Sequence, residues 1–225
     1  MELKKLPSEG LKLIACLTML CDHMAVALGL GLGFRVIGRI AFPIYCFLLA
    51  EGAHYTGNPR KYALRLAFAM VLSEIPFDLV FRGRLTLGYQ NVLLTLLLGF
   101  AMLELLRHLE SPILKLAAAV PFCQAAELLR CDYGAQGVAM ILLFGLAREY
   151  GWNLWQMGLG LVLVSLSRAS LPIDLLGLPI PIELFSLLGL IPIALYSGEK
   201  ATRSRWVQWA FYLFYPVHLA ILAFL

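Results

Sequence analysis

Asp22 and His23 stand side by side in LTMLCDHMAVA, with apolar residues on both flanks. An imidazole titrates near neutrality, so a His held beside a carboxylate has the makings of a general base with its orienting partner. The pair lies about eleven residues into an apolar run, which at 1.5 Å per residue is roughly 16 Å along a helix, near the middle of a bilayer. A strongly polar side chain at that depth costs about 2.5–3.5 kcal/mol, so it needs a partner or a use. Two readings stand, an interhelical structural pair and a catalytic or substrate-contacting His.

Other polar groups share that logic. In GRIAFPIYCFLLAEG, Arg39 and Glu51 bracket an apolar run, and Pro43 is expected to kink it and free a carbonyl. Arg39 either snorkels to the interface or faces inward as a fixed cation, suited to Asp22 or to an anionic substrate group. The polar stretch after it carries His54, Arg60, Lys61 and Arg65. Grouped cations at a helix start serve either topology or the binding of phosphate. In LSEIPFDLVF, Glu74 and Asp78 are four apart and share a helical face bent by Pro76. Arg35, Arg39, Arg82 and Arg84 are their expected partners, with a direct substrate role as the alternative. Asn91 with Thr95, Gln124 with Glu127, Asp132 with Gln136, and His218 in YPVHL read first as interhelical hydrogen bonding. The five cysteines have no metal spacing and no metal site is expected, and the four tryptophans read as interfacial anchors.

These groups need elements to hold them, and composition says which. Of 225 residues, 61% are hydrophobic and 14% charged, and mean hydropathy is +0.82. A soluble fold could not cover so much apolar side chain, so lipid is the solvent for most of the surface. The net charge of +4 comes from cations between apolar runs, which read as topology signals and not as a nucleic-acid surface. Apolar runs near 11–33, 36–53, 62–81, 91–107, 112–129, 134–147, 152–167, 183–197 and 206–225 predict an all-α, polytopic transmembrane bundle of about nine helices in a single domain, 1–225. The runs are continuous and do not alternate, which excludes a barrel. The first, preceded by Lys4 and Lys5, is long and lacks a cleavage site, and is expected to be a retained helix.

With the N-terminus inside, alternate connections divide the cations about two to one. Lys4, Lys5, Lys12, Arg60, Lys61, Arg65, Arg107, Lys115, Arg148, Lys200, Arg203 and Arg205 fall inside, and Arg35, Arg39, Arg82, Arg84, Arg130 and Arg168 outside. A cytoplasmic N-terminus in a bacterial inner membrane is the expectation. Loops too short for a soluble domain place any chemistry within the bundle or at its mouths. No internal repeat marks paired transporter halves. Residues 167–183, with three prolines, are expected to form an irregular connection along the far interface.

LKLIACLTMLCDHMA, GRIAFPIYCFLLAEGAHYTGNPRKYALRL, LSEIPFDLVF and the terminal FYPVHL together resemble the TraX-like proteins, named for the conjugal-transfer pilin acetylase. The resemblance covers nearly the whole chain. It implies a multi-helix acetyltransferase that takes acetyl-CoA from the cytoplasm and, in the name-giving member, acetylates the pilin N-terminus. The TraX-like proteins also look related to integral-membrane O-acyltransferases of the OafA type, whose first helix carries a basic residue and, after ten intervening residues, the catalytic His. Lys12 and His23 match that pattern, with Lys where the family has Arg.

The joint expectation is that the acetyl-CoA head group docks on Lys12, Arg60, Lys61 and Arg65. His23 then acts as general base, or as an acetyl carrier, with Asp22 orienting it and Arg39 at the oxyanion. Glu51, Glu74, Asp78 and His218 complete the list of substrate-contacting candidates. The acceptor is an amine or hydroxyl of a membrane-held peptide or glycan. Rival readings are a small ion-coupled transporter, suggested by Glu74 and Asp78, and a scaffold whose buried polar groups only set helix register.

Overall fold

The computed structural model describes residues 6–167, 172–175, 178–199 and 204–225, so Lys4, Lys5, Arg168, Lys200 and Arg203 lie outside the described residues. The helices are α1 (Ser8–Ala27), α2 (Leu32–Gly38), α3 (Ala41–Tyr55), α4 (Pro59–Arg82), α5 (Val92–Leu106), α6 (Pro112–Leu128), α7 (Gly134–Tyr150) and α8 (Leu154–Leu166). A short hairpin of β1 (Pro172–Leu175) and β2 (Leu178–Pro181) follows, then a 3-10 helix (Ile182–Gly189) that runs into α9 (Leu190–Ala194), and last α10 (Arg205–Ala223). Taking α2 with α3 and the 3-10 helix with α9, the described residues form nine helical segments of an all-α bundle, in the predicted order. Three of these, Ser8–Ala27, Leu32–Tyr55 and Trp206–Ala223, are long and apolar enough to cross a membrane, and α5 and α8 are shorter apolar helices. The chain is a membrane protein.

Three expectations change in detail. The first helix stops at Ala27 and not at 33, because LGLGLGF is apolar to a hydropathy scale yet glycine-rich. Gly29 takes φ +64, and the Leu30 N–H closes back on the Ala25 carbonyl at 3.0 Å. Pro43 does more than kink the second segment. It is the third residue of α3, its missing N–H is the one that would meet the Arg39 carbonyl four residues back, and the helix is interrupted there, between Gly38 and Ala41. Within 167–183 lies the hairpin, antiparallel with Pro172 opposite Pro181 and Leu175 opposite Leu178.

Two compact units divide the chain, one of residues 1–45 and 154–225 and the other of Cys46–Asn153. In the first, α1 packs on α2 and α10, and α8 packs on the 3-10 helix. Leu11, Ala15, Leu161 and Leu219 are fully buried there. Gly189 allows the 3-10 helix to approach the start of α3, since a Cβ at that position would lie 2.7 Å from Pro43 Cγ. The segment before α1 is tied down by backbone bonds, Leu6 N–H to the Leu195 carbonyl at 2.6 Å and Ser197 N–H to the Leu6 carbonyl at 2.8 Å. In the second unit, α5 packs on α4, α6 and α7 around Phe100, Met102, Val138, Ile141 and Phe144. Side chains cap its helices, Asn58 accepting from Lys61 N–H and Asn91 from Leu93 N–H.

Candidate functional site

The first unit gathers the charged and imidazole groups that the sequence scatters widely. On α1, Lys12, Cys16, Met19 and His23 share one face by helical spacing, and on α10, Phe211, Tyr215, His218 and Leu222 do the same. Contacts join the two faces at both ends. The Lys12 ammonium lies 5.5 Å from the Phe211 ring centroid, and His23 Nδ1 is 2.7 Å from His218 Nε2. Along α1 those contacts are about 16 Å apart. Between them, Cys16 Sγ meets the Tyr45 hydroxyl of α3 at 3.3 Å.

Both histidines are buried, His23 at 9% and His218 at 6% exposure, so neither ring is a lipid-facing ornament. Their planes are 13° apart with centroids 4.9 Å apart. Near-parallel rings stacked face to face could not bring two nitrogens to 2.7 Å, so the rings meet edge to edge along a hydrogen bond. His218 Nδ1 in turn lies 2.7 Å from the Phe214 carbonyl, one helical turn back. Tyr215 stands edge-on to both rings, 5.9 Å from His23 and 5.7 Å from His218.

Asp22 is turned to other work. Its Oδ2 accepts from Arg39 Nη2 at 2.7 Å, and its Oδ1 is 3.0 Å from Arg35 Nη1. Arg39 spends its second terminal nitrogen on Glu183 Oε1 at 3.0 Å. The four groups form a linear chain, Arg35–Asp22–Arg39–Glu183, of two cations and two carboxylates, neutral as a whole, which is how charge is carried in a low-dielectric setting. Asp22 therefore does not orient His23, whose ring is held by His218. Arg39 faces inward and is engaged by two carboxylates. A glycine makes the network possible, because a Cβ on Gly38 would lie 2.3 Å from Asp22 Cβ. Glu183 and the tying role of Arg35 escape a reading by sequence. The available signal was a single carboxylate at the head of the apolar run 183–197.

The remaining candidates belong to the second unit. Glu51 is buried and paired with Arg148 Nε at 2.9 Å, and Arg148 also donates to the exposed Tyr55 hydroxyl. Arg60 and Lys61 are exposed in the first turn of α4, where no acidic residue accompanies them, and the Arg65 guanidinium lies 5.5 Å from the Tyr62 ring centroid. Lys12 is in the first unit, so the four proposed docking cations divide between the two. Glu74 and Asp78 do not meet the arginines expected for them. Arg35 and Arg39 are committed to Asp22, and Arg82 lies over the Tyr89 ring at 4.1 Å. Glu74 instead accepts from Asn91, and Asp78 Oδ2 accepts from Thr86 N–H at 2.6 Å. Their other oxygens, Glu74 Oε1 and Asp78 Oδ1, are buried, and among the described residues they accept no hydrogen bond and neither carboxylate has an ion pair. Asp132 accepts from Tyr89 and Tyr133, its carbonyl from Thr95, and Glu127 from Ala135 N–H. In the connection between α6 and α7, burial, with the nearby Asp132, Glu127 and Glu74 carboxylates adding to it, pushes the Cys131 thiol up to about 11.

Comparison with known proteins agrees with this whole-chain pattern. A relative 33% identical over 233 residues, covering 94% of this chain and 92% of its own length, is a probable fimbrial assembly protein FimC of serogroup H1 from Dichelobacter nodosus. No solved structure matches. The family profile described as TraX protein matches residues 8–225, which takes in α1 with His23, the Arg39 turn, α4 and α10 with His218. The chain belongs to the TraX protein family.

Proposed function

We propose that this protein is an acetyltransferase of the bacterial inner membrane, with its N-terminus in the cytoplasm, using acetyl-CoA to acetylate an amine or hydroxyl of a membrane-held or extracytoplasmic acceptor. The observation that carries this reading is the buried His23–His218 pair on the facing stripes of α1 and α10, with Lys12 three turns away on the same stripe. Acyl transfer from a thioester needs little else from the protein. One group must take the acceptor's proton as the new C–N or C–O bond forms, and return it to sulfur as the C–S bond breaks. His23 is that group. In this reading Lys12 holds a phosphate of the donor's nucleotide end, and Arg60, Lys61 and Arg65 stay candidate docking cations on the predicted topology of their connection alone. The fimbrial name of the relative supports a fimbrial subunit as acceptor, in keeping with the pilin acetylation for which the family is named.

The test uses purified full-length protein in nanodiscs with acetyl-CoA and a synthetic peptide bearing a free N-terminal amine and a serine. Wild type releases CoA and adds one acetyl group to the peptide. His23→Ala, folded as judged by thermal unfolding, loses on the order of 10²-fold or more in rate. A folded His23→Ala protein with full activity defeats the assignment. One observation favours a second reading as an ion-coupled transporter, namely the buried unbonded oxygens of Glu74 and Asp78. Ion flux in liposomes that ignores acetyl-CoA and disappears in Glu74→Gln selects that alternative.

A further inference from the structure

The hydrogen-bond chain through the two histidines has a direction set by its last member. A backbone carbonyl only accepts, so at 2.7 Å from the Phe214 oxygen His218 Nδ1 must carry the proton. A neutral His218 then has its lone pair on Nε2. That nitrogen is the one 2.7 Å from His23 Nδ1, so His23 donates there through Nδ1–H and keeps its own lone pair on Nε2. We infer that His218 is a positioning residue which, anchored on the Phe214 carbonyl, fixes the His23 tautomer and makes Nε2 its basic nitrogen.

This inference rests on the reading of His23 as the proton acceptor, and it gives His218 a role other than lining the substrate path. During transfer His23 Nε2 takes the acceptor's proton, and the positive charge that appears on His23 is stabilised through Nδ1–H by the His218 lone pair. The proton then leaves His23 Nε2 for the departing thiolate, and both rings return to their starting state. His218 does the orienting that a carboxylate performs in the Ser-His-Asp arrangement, without placing a negative charge beside the base. The surrounding elements explain why a neutral partner suits this place. Asp22 on α1 is held by Arg35 and Arg39, and Glu183 of the 3-10 helix by Arg39. Tyr45 of α3 bonds Cys16 and Tyr215 of α10 stands edge-on, while α9, LIPIA, packs on α1 and brings no titratable group.

Two measurements test it. In protein carrying ¹⁵N-imidazole histidine, reconstituted in lipid at neutral pH, solid-state NMR should show His23 and His218 both protonated at Nδ1 and unprotonated at Nε2. A spin coupling should join His23 Nδ1 to His218 Nε2. The signals are assigned by their loss in His23→Ala and His218→Leu. A His23 resonance protonated at Nε2, or a His218 without its Nδ1 proton, overturns the inference whatever the activity. In the peptide acetylation assay, His218→Leu should lose on the order of 10²- to 10⁴-fold in rate and shift the pH–rate profile. His218→Gln, whose amide oxygen can still accept from His23 Nδ1–H, should recover at least tenfold of that loss. Equal rates and pH profiles for the Leu and Gln variants overturn the positioning role. If His23→Ala stays active while the NMR pattern holds, the catalytic reading fails and the hydrogen-bond chain stands. If His23→Ala is dead and the NMR pattern is absent, only the positioning role falls.

Discussion

Gly38→Ala adds one methyl group at the point where α2 meets α1. That methyl would lie 2.3 Å from Asp22 Cβ and 2.6 Å from its Cγ, whereas ordinary contact begins near 3.4 Å, so the helices must part by about 1 Å or the carboxylate must swing away. Either response lengthens the Arg39–Asp22 bond from 2.7 Å to a separation where a charge-assisted hydrogen bond is lost. Overpacking costs about 1–3 kcal/mol and a weakened bond to a buried charge about 1.5–3 kcal/mol, against a helix-propensity gain of about 1 kcal/mol for Gly to Ala. The net is about 1.5–5 kcal/mol of destabilisation, or about 3–20 °C in Tm for a chain of this length. Gly33→Ala is the internal control. It lies on the same short helix with nothing within 4 Å of its would-be Cβ, so it should be neutral or slightly stabilising. Thermal unfolding of wild type and both variants in nanodiscs, followed by tryptophan fluorescence, makes the comparison. If Gly38→Ala is as stable as Gly33→Ala, the close approach of α1 and α2 at Asp22 is wrong, and the charge network with it.

Further outcomes follow from the second unit. Asp78→Asn removes a buried charge whose Oδ1 has no hydrogen bond, and the amide oxygen can still accept from Thr86 N–H. Stability should be unchanged or rise by up to about 2 kcal/mol, and a clear fall in Tm would show that the carboxylate is compensated by a bound cation. Removing both Arg60 and Lys61 by Ala should raise KM for acetyl-CoA severalfold with kcat nearly unchanged, and equal losses in kcat would move them into the chemical step. Arg148→Met should destabilise by about 3 kcal/mol by stranding Glu51, whereas Arg148→Met combined with Glu51→Leu should recover most of it in the same unfolding assay. Cys131 has its pKa raised in the fold to about 11, so the fold favours its protonated form. Its contribution to stability is whole below the unfolded thiol's pKa, about 8.5, and is lost as pH rises toward 11. The Tm difference between wild type and Cys131→Ala should be flat to about pH 8.5 and shrink or reverse above it, and a difference constant to pH 11 would refute the raised pKa.

Hydropathy read the bundle well because lipid imposes a constraint that every segment meets alone, and the nine runs correspond to helices or helix pairs. It misplaced the end of α1 because the alternating leucines keep LGLGLGF apolar on average, although its glycines readily take the positive φ found at residue 29. Polarity within the runs marked Asp22, His23, Arg39 and His218, since expensive side chains stand out against hydrocarbon. The pairing among them was not legible. Adjacency in the chain suggested Asp22 as the partner of His23, yet neighbours on a helix point about 100° apart, and the true partner is His218, 195 residues away. Glu183 is not legible as a partner because a carboxylate at the edge of an apolar run reads as interfacial, and only the fold brings Arg39 to it.

The sequence separations in the charge network also bear on how the chain enters its membrane. Asp22 and Arg39 are only 17 residues apart, so the first two helices can leave the ribosome and partition into lipid as a hairpin that already offsets its own charge. Glu183 arrives 144 residues after Arg39, and His218, on α10, 195 residues after His23. A chain in which α10 fails to insert would therefore carry a buried His23 without its hydrogen-bond partner. The longest-range pairing in this unit thus forms only once α10 is in place, so the His23–His218 bond reports that the helices between them have been threaded as well.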